Sequence, residues 1–443
     1  MKKKLSRLML PHSKHTANVA SAPIQPPKEV LIPMLMQQGS PSAPVVSVGD
    51  YVRVGQIIAK EEGRFSSVAH ASVSGTVTAI EERKLCTGKT TLAIRIESDG
   101  KMEKDPSLKA PEVHNLDEFL DAVRQSGIVG LGGSAFPVWA KLETVRKNPI
   151  KTVLINGAEC EPYITSDTRM MVENSRYIVK GVELFRKYLG AEEFIIGIED
   201  NKPEAIEILR RAFEGDSSVN IMALKSIYPQ GAKQMLLYNA TGKVVYAGQR
   251  LVSLGVIIAN ISSVARVAQY MEDGMPLVDR IVTVDGSAIK KPCNLVAPVG
   301  TSVRYLIEQA GGFSSEPGKI ILGGPMTGFT APDLDEPIVK ATNSVLAFNK
   351  KDARMGKETT CIRCGRCVDI CPMGLNPVTF ASAMELEDDH ERAAILDRES
   401  VNFCIECGCC SYVCPAHRPL MHYNAEGMSF LRSYKAAQKE GSK

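Results

Sequence analysis

The sequence predicts a multidomain α/β protein with a β-rich N-terminal part and a helical C-terminal part. Residues 28–98 carry short alternating runs rich in Val, Ile, Gly and Ser, which are typical of β-strands. From 114 to 265 strand patterns alternate with helix patterns, as in a parallel α/β sheet. Nine of the twelve cysteines fall between Cys361 and Cys414. With 443 residues the chain has room for two to four domains.

The composition excludes several classes of protein. The 53 Lys and Arg residues against 50 Asp and Glu leave a net charge of +3, which is too small to argue for a nucleic-acid partner. No segment reaches the roughly 18 to 20 apolar residues that span a bilayer. The N-terminus begins like a signal peptide, but its apolar run breaks at Pro11 and His12. We therefore expect a protein on the cytoplasmic side, with any membrane association made through partners.

Two motifs in the β-rich part resemble the flattened barrel of lipoyl and biotinyl carrier domains. They are 48–56, Val-Gly-Asp-Tyr-Val-Arg-Val-Gly-Gln, and 73–77, Val-Ser-Gly-Thr-Val. Carrier domains present a modifiable lysine on the hairpin between these motifs. Here the interval holds only Lys60, which comes too early for that hairpin. We therefore predict a structural barrel-sandwich domain at 28–98, without a swinging prosthetic arm.

A glycine-rich segment follows a polar linker at 100–113 and a predicted helix over Leu116 to Gln125. Its core, Gly130 to Ala135, matches the pattern G-x-G-x-x-A. A dinucleotide fold requires a strand before these glycines, whereas a helix pattern precedes them here. Two interpretations remain at this point. The segment is either a phosphate-binding loop before the next helix, Val138 to Lys147, or an ordinary turn between helices.

An acidic loop follows the strand predicted at Thr152 to Asn156. Its sequence is Gly157-Ala-Glu159-Cys-Glu161-Pro162. Ligands in α/β proteins usually lie at the carboxyl ends of strands, although a solvated turn has the same composition. Further elements are predicted as strands at 194–198, 219–224 and 280–284, and as helices at 203–213 and 303–309.

The C-terminal cysteines form two runs of the same pattern, C-x2-C-x2-C-x3-C-P. The first contains Cys361, Cys364, Cys367 and Cys371, and the second Cys404, Cys407, Cys410 and Cys414. In bacterial ferredoxins three cysteines of a run bind one [4Fe–4S] cluster, and the fourth binds the other. We therefore assign Cys361, Cys364, Cys367 and Cys414 to cluster 1. Cluster 2 takes Cys371, Cys404, Cys407 and Cys410.

Other uses of these cysteines fit the pattern poorly. Zinc sites normally use two C-x2-C pairs or Cys/His mixtures, and disulfide scaffolds spread their cysteines along a small secreted domain. Cys409 stands where the loop needs only a spacer, and we predict that it is not a ligand. Helix patterns between the runs, over Asn376 to Arg398, favour a helical two-cluster ferredoxin domain at 352–430.

Three features together carry a resemblance to a known family. They are the glycine-rich segment 130–137, the acidic segment 156–162 and the two ferredoxin runs, in this order. The chain resembles the C subunit of the Rnf ion-translocating electron transport complex, an NAD:ferredoxin oxidoreductase. That family is related to the NADH- and FMN-binding subunit of respiratory complex I. The resemblance implies an FMN/NADH-binding domain at 114–265 and a soluble-ligand-binding β-grasp domain at 278–330.

The resemblance also implies cofactors and site residues. FMN would be bound without a covalent bond, with NAD(H) stacking on it. The residues implied for FMN are Gly130, Gly132, Lys141, Asn156, Glu159, Tyr228, Gly231, Lys233 and Asn260. Phe136 and Glu161 would lie on the NADH side. No side chain is required as a nucleophile or a general base, because the flavin and the clusters carry the chemistry.

The resemblance implies a membrane-bound complex with integral-membrane and iron–sulfur partner subunits, to which ferredoxin is linked indirectly. An alternative is a soluble NADH, FMN and iron–sulfur protein that feeds a cobalamin or amino-acid reductase. In the cobalamin-reductase relatives the barrel follows the clusters, whereas here it precedes them, which favours the complex. A third hypothesis is an electron carrier with a degenerate nucleotide site.

Overall fold

The computed structural model describes residues 8–246 and 249–441. It contains the β-rich, α/β, β-grasp-like and helical units in the predicted order. In these residues no helix is both long and apolar enough to cross a membrane.

The N-terminal unit consists of two small sheets that face each other. One sheet has the order β2-β8-β7-β4 and the other β3-β5-β6. A short strand that precedes them, β1, belongs to another sheet. The bounds are β1 Ser21–Pro23, β2 Glu29–Pro33, β3 Ala43–Pro44, β4 Tyr51–Val52, β5 Ile57–Lys60, β6 Ala69–His70, β7 Gly75–Lys84 and β8 Thr90–Ser98.

The barrel core comes from the inward-facing side chains of these strands, which alternate with exposed ones. Val52, Val77, Ile94 and Ile96 are completely buried. Gly75 opens β7 at a φ of +155°, and a Cβ there would lie 1.9 Å from the Glu97 carbonyl oxygen. Only glycine therefore allows β7 to pair closely with β8 at this end.

The central unit has a four-stranded parallel sheet in the order β11-β10-β9-β12, with helices around it. Its β9 is buried on both faces, as the continuous apolar run of its sequence predicts. The elements are α1 Leu116–Gln125, α2 Val138–Leu142, β9 Thr152–Gly157, α3 Ser166–Glu173, α4 Ser175–Leu189, β10 Glu193–Glu199, α5 Pro203–Ala212, β11 Val219–Leu224, α6 Lys233–Thr241, β12 Val256–Asn260 and α7 Ile261–Asp273.

The strand order fixes where a ligand is expected. The chain runs from β9 outward to β10 and β11, and then returns to the other side of β9 as β12. The direction of winding therefore reverses between β9 and β12, and α/β proteins bind ligands outside the carboxyl ends of strands at such a point. Asn156 and Asn260 lie opposite each other there, in register.

The third unit is a mixed six-stranded sheet that reaches beyond residues 278–330. Its order is β1-β14-β13-β17-β15-β16, so β1 from the N-terminus extends one edge and β17 lies inside the sheet. The bounds are β13 Asp279–Asp285, β14 Cys293–Pro298, α8 Val303–Gln309, β15 Pro317–Leu322, β16 Phe329–Thr330 and β17 Ser344–Asn349.

The C-terminal unit is helical. Its longest helix packs against the two helices that separate the cysteine runs, around Phe380, Leu396, Met428 and Leu431. The helices are α9 Arg366–Ile370, α10 Pro377–Met384, α11 Asp389–Arg398, α12 Cys409–Tyr412 and α13 Leu420–Gly441. The predicted helices between the runs are thus present as α10 and α11.

A buried lysine joins three of the units. The Lys340 side chain is only 1% exposed. Its Nζ donates to Ser67 Oγ at 3.1 Å and the Val68 carbonyl at 2.6 Å in the barrel, and to the Gly127 carbonyl at 2.8 Å beside the central sheet. An ammonium group with three donors therefore meets three acceptors where the units converge.

Candidate cofactor sites

The glycine-rich segment forms a closed loop between α1 and α2. The Gly130 N–H donates to the Phe136 carbonyl at 2.8 Å, and the Ala135 N–H donates to the Gly130 carbonyl at 3.0 Å. A Cβ on Gly132 would lie 2.8 Å from Asn260 Nδ2, so a side chain at this position would close the space next to β12. The loop thus keeps bare backbone against the carboxyl end of the sheet, as a phosphate-binding loop requires.

Two lysines lie close enough beside this loop for the charge of one to affect the other. Lys141 Nζ donates to the Ile258 carbonyl at 2.8 Å, near the end of β12. Burial and the nearby Lys233 ammonium group lower the pKa of Lys141 to about 7. Burial also lowers the pKa of Lys233. Two lysines whose charged forms are disfavoured by burial, next to open backbone, fit an anionic group such as the FMN phosphate, and these lysines would hold it.

Asn260 is fixed by its neighbours at the start of α7. Its Oδ1 accepts from the Ser263 N–H at 3.1 Å, and its Nδ2 donates to Asp167 Oδ2 at 2.6 Å. Burial, and then the neighbouring Glu159 carboxylate, raise the pKa of Asp167 to about 6. Asn156 on the adjacent strand donates to the Gly231 carbonyl at 2.9 Å. The sheet therefore brings the two asparagines together with the loop at 228–231.

Glu159 is used by the protein itself. Its carboxylate accepts from the N–H groups of Asp167 at 2.6 Å and Thr168 at 3.2 Å, at the start of α3. This is the position where a carboxylate stabilises a helix, because the first N–H groups have no partner within it. The structure thus places Glu159 beside the site, with its side chain directed to α3.

The acidic loop wraps around a lysine from the N-terminus. Lys14 Nζ donates to the carbonyls of Glu159 at 2.8 Å, Glu161 at 2.8 Å and Ile164 at 2.6 Å. Burial, opposed in part by nearby carboxylates, lowers the pKa of Lys14 to about 8. Sequence reasoning missed Lys14, since it lies about 145 residues from its partners and no local motif marks it.

Glu161 connects the acidic loop to the β-grasp-like unit. Its carboxylate accepts from the Met326 N–H at 3.0 Å and from Thr327 Oγ1 at 2.6 Å. Burial raises the pKa of Glu161. A Cβ on Gly324 would lie 2.2 Å from Glu161 Cδ, so the glycine is needed for this close approach. Phe136, the other residue implied for the NADH side, lies against the barrel, with its ring centroid 5.2 Å from that of Phe65.

The loop that begins at Tyr228 links this site to the C-terminal unit. At one end, Gly231 contacts Asn156 and its N–H donates to Cys160 Sγ at 3.4 Å. At the other end, the Tyr228 hydroxyl donates to the Cys407 carbonyl at 2.8 Å. Four consecutive residues therefore reach from the carboxyl end of the central sheet to a predicted cluster ligand.

The structure brings together both predicted cysteine quartets. Cluster 1's cysteines line a cavity of about 440 Å³ near the surface, where Cys364 is exposed. The four cysteines of cluster 2 line a second cavity together with Cys409. In the described residues no three His, Cys, Asp or Glu side chains close around a single metal ion. Each cysteine quartet lines a cavity and does not converge on a single ion position.

The two runs have the same backbone form. Arg363 and Glu406, at equivalent positions, have φ values of 54° and 50°, and Gly365 and Gly408 both have 76°. The turns aim N–H groups at sulfur: Arg363 N–H donates to Cys361 Sγ at 3.4 Å, and Glu406 N–H to Cys404 Sγ at 3.4 Å. Such hydrogen bonds stabilise thiolates around iron–sulfur clusters, so the residues present fit two [4Fe–4S] clusters.

Of the two quartets, the one predicted for cluster 2 meets the central unit, through Cys407 and Tyr228. Cys409 is 1% exposed and packs in an apolar group with Tyr228, Leu8 and Leu10, in which Cys160 and Cys407 also take part. Cys409 therefore fills the contact between the two units. Its role as a bystander to the cluster remains a prediction.

Four family models match the chain in order. They are the RnfC barrel sandwich hybrid domain at residues 8–101, the Nuo51 FMN-binding domain at 123–269, the SLBB domain at 281–330 and the 4Fe-4S dicluster domain at 355–417. These matches confirm the predicted fold class and the predicted FMN and [4Fe–4S] cofactors. The predicted domain bounds and the individual site residues remain predictions.

Curated relatives are similar over most of the chain. The C subunit of the proton-translocating ferredoxin:NAD(+) oxidoreductase complex of Clostridium ljungdahlii is 42% identical, covering 86% of this chain and 83% of the relative. The C subunit of the Na(+)-translocating complex of Acetobacterium woodii is 41% identical, covering 80% and 81%. The C subunit of the ion-translocating oxidoreductase complex of Pectobacterium carotovorum is 39% identical over 79% of this chain, but only 47% of its own length is covered.

A solved structure shows a similar fold. A chain of an NAD+-reducing [NiFe]-hydrogenase in the air-oxidised state aligns with a TM-score of 0.50 and 16% identity, covering 72% of this chain and 63% of that one. At this identity the likeness shows the fold alone. The family rests on the curated relatives and on the matched domains. The chain belongs to the C-subunit family of ion-translocating ferredoxin:NAD(+) oxidoreductase complexes, as the resemblance of its motifs predicted.

Proposed function

We propose that this chain transfers electrons between NAD(H) and a membrane-bound partner through one FMN and two [4Fe–4S] clusters. The observation that carries the proposal is the loop 228–231, which lies between the predicted flavin site and cluster 2. FMN supplies the chemistry that joins a two-electron hydride donor to one-electron clusters. The protein's part is to hold these groups in order and to keep water from them.

The arrangement of the cysteines gives the order of the groups along the electron path. Tyr228 packs with Cys407, a predicted ligand of cluster 2, and the cysteines predicted for cluster 1 line the open cavity whose rim includes the exposed Cys364. The path therefore runs from the flavin site to cluster 2, then to cluster 1, and then to the surface. Both directions of flow are compatible with this order.

Membership of the family supports a place in an ion-translocating complex. We propose that the chain binds integral-membrane and iron–sulfur subunits as a peripheral subunit on the cytoplasmic side, with ferredoxin linked through those partners. If the chain is a peripheral subunit, the tagged chain should co-purify with membranes. It should also be released from them without detergent. If the tagged chain is recovered from cells with no membrane-spanning protein bound to it, the result would favour the alternative of a soluble protein that feeds a dedicated reductase.

The test of the electron path is anaerobic purification with quantified iron, sulfide and released flavin. About eight irons and one FMN per chain are expected from the two quartets and the single flavin site. NADH should then bleach both the flavin and the cluster absorbance. Eight irons without flavin and without a response to NADH would contradict the proposal, and would leave a cluster-bearing electron carrier.

A further inference from the structure

A hairpin loop projects from the edge of the β-grasp-like sheet toward the other units. Its six residues, 323–328, have the sequence Gly-Gly-Pro-Met-Thr-Gly and connect β15 to β16, the last strand of that sheet. The Gly328 N–H donates to the Gly324 carbonyl at 2.8 Å. The hairpin loop is therefore closed at its base and presents Met326 and Thr327 at its tip.

The central unit anchors the tip of this hairpin loop. Both oxygens of the Glu161 carboxylate are used there. One accepts from the Met326 N–H at 3.0 Å, and the other accepts from Thr327 Oγ1 at 2.6 Å. A carboxylate that accepts hydrogen bonds from two adjacent residues fixes the position of both. The acidic loop thus determines where Met326 lies.

Met326 lies on the second cysteine run. Gly408 follows Cys407 in that run, and a Cβ on Gly408 would lie 2.7 Å from the Met326 carbonyl oxygen and 3.7 Å from the Met326 terminal methyl group. The Met326 side chain packs in the same apolar group as Tyr228, Cys407 and Cys409. One methionine of the β-grasp-like unit therefore covers the turn that is predicted to hold cluster 2.

The first cysteine run has the same turn without such a cover. Gly365 and Gly408 share a φ of 76°. Its chain neighbours aside, no residue that the structure describes comes within 4 Å of a Cβ built on Gly365. Cys364 is exposed, whereas its counterpart Cys407 is only partly exposed. Because the backbone form of the two runs is the same, the difference comes from the packing of the hairpin loop.

We propose that Met326 keeps water from cluster 2 and thereby lowers the reduction potential of that cluster. The inference rests on the proposed function, in which cluster 2 exchanges electrons with the flavin site. Reduction adds one negative charge to a cluster, and water stabilises this charge better than an apolar side chain does. The apolar shell around a metal site controls solvent access and hence its potential. The β-grasp-like unit would then serve as the cover of cluster 2.

A redox titration of the holoprotein, followed by electron paramagnetic resonance, measures this effect. Met326→Ala should make the reduction of cluster 2 about tenfold more favourable, which is a positive shift of about 59 mV for one electron. Met326→Gln keeps the volume but places a polar amide on the turn, and should shift the potential in the same direction. Met326→Leu keeps an apolar cover and should stay within about twofold of the wild type. Cys364→Ala, which lacks a predicted ligand of cluster 1, identifies the signal of cluster 2.

Water beside the cluster gives a readout that does not depend on turnover. After exchange of the holoprotein into D2O, pulsed electron paramagnetic resonance detects deuterons next to a reduced cluster. Met326→Ala should show deeper deuterium modulation for cluster 2, because the side chain that excludes water is shortened. The modulation for cluster 1 should not change.

Two glycines supply the matched control. Gly408→Ala and Gly365→Ala add the same methyl group at the same positive φ, so both introduce the same backbone strain. Only Gly408→Ala also displaces Met326. Gly408→Ala should therefore raise the potential of cluster 2 as Met326→Ala does. Gly365→Ala should keep the reduction equilibria of both clusters within about twofold of the wild type.

The outcomes are distinguishable. Full iron content with an unchanged potential of cluster 2 in both Met326→Ala and Met326→Gln would overturn the inference. A shift in Met326→Ala without deeper deuterium modulation would also overturn it, since water would not be the cause. Equal shifts in the two glycine variants would attribute the potential to strain, with the same consequence. A wild-type holoprotein that lacks about eight irons, or that does not respond to NADH, would contradict the proposed function itself.

Discussion

The hydroxyl group of Tyr228 donates a 2.8 Å hydrogen bond to the backbone carbonyl of Cys407, a predicted ligand of cluster 2. Tyr228 is 3% exposed, and its backbone N–H donates to the Leu8 carbonyl at 2.8 Å. The tyrosine is thus held on one side by the N-terminal segment and on the other by a cysteine loop. This contact therefore holds Cys407, a predicted ligand of cluster 2, beside the loop 228–231.

Removing the hydroxyl should slow the step between flavin and cluster. In Tyr228→Phe the ring remains, while the carbonyl of Cys407 loses its donor, a change of about 1 kcal/mol in the local free energy. We expect stopped-flow absorbance after NADH mixing to show unchanged flavin bleaching and cluster bleaching slower by about two- to tenfold. Tyr238→Phe, on the exposed side of α6, is the control. Equal rates in wild type and Tyr228→Phe would contradict this role.

The cysteine quartets predict an order of reduction. Cys371→Ala should lose cluster 2 and about four irons, and NADH should then no longer bleach the remaining cluster rapidly, since the intermediate site is missing. Cys364→Ala should lose cluster 1, while NADH still bleaches cluster 2. Iron analysis and anaerobic spectra measure both.

The neighbouring thiol gives the matched control for the quartets. Cys409→Ala should keep about eight irons, because Cys409 packs against Tyr228 and is not needed by the pattern. Loss of four irons in Cys409→Ala would show that it is a ligand, and the assignment of cluster 2 would have to change.

FMN binding should take up a proton at alkaline pH. In the flavin-free protein Lys141 has a pKa of about 7, lowered by burial and by Lys233, so at pH 8.5 it is mostly neutral. An anionic phosphate favours the charged form and raises this pKa again. The affinity for FMN should therefore fall as the pH rises above 7, with up to one proton bound per flavin. Calorimetry in buffers of different ionisation enthalpy measures this uptake.

Substitution of the lysine tests the cause. Lys141→Met should weaken FMN binding about 10- to 100-fold, the range expected for a charge-assisted hydrogen bond, and should reduce the proton uptake. Lys147→Met, an exposed lysine nearby, should change neither quantity. A pH dependence that survives in Lys141→Met would assign the proton to another group.

The three-way contact of Lys340 predicts a loss of stability. Lys340→Met leaves the buried Val68 carbonyl without its donor. It also removes the hydrogen bond to Ser67 Oγ and one of the two donors to the Gly127 carbonyl, which keeps only the Ser67 hydroxyl. We expect the free energy of unfolding to fall by about 3 kcal/mol, measured by denaturant titration at fixed cofactor content. Lys350→Met removes only an exposed ion pair with Glu316 and should change it by less than about 1 kcal/mol. Equal effects of the two variants would contradict the prediction.

Much of the fold followed from local pattern. The strands predicted at 152–156 and 194–198 are present as β9 and β10, because continuous apolar runs mark buried parallel strands. The limits of the β-grasp-like unit could not be predicted from local pattern. Its sheet takes β1 from residues 21–23 and β17 from residues 344–349, and strand pairing between distant segments leaves no local signal.

The sequence by itself determined the cluster chemistry, because a ferredoxin loop needs its cysteines at fixed short spacings and carries that requirement in consecutive residues. It also determined the order of the domains and the glycine-rich loop. Only the tertiary structure decided that Lys14 holds the acidic loop, that Tyr228 meets Cys407 and that Phe65 faces Phe136. These contacts join residues 71 to 179 positions apart, and such pairs are fixed by packing between units and not by any local preference of the chain.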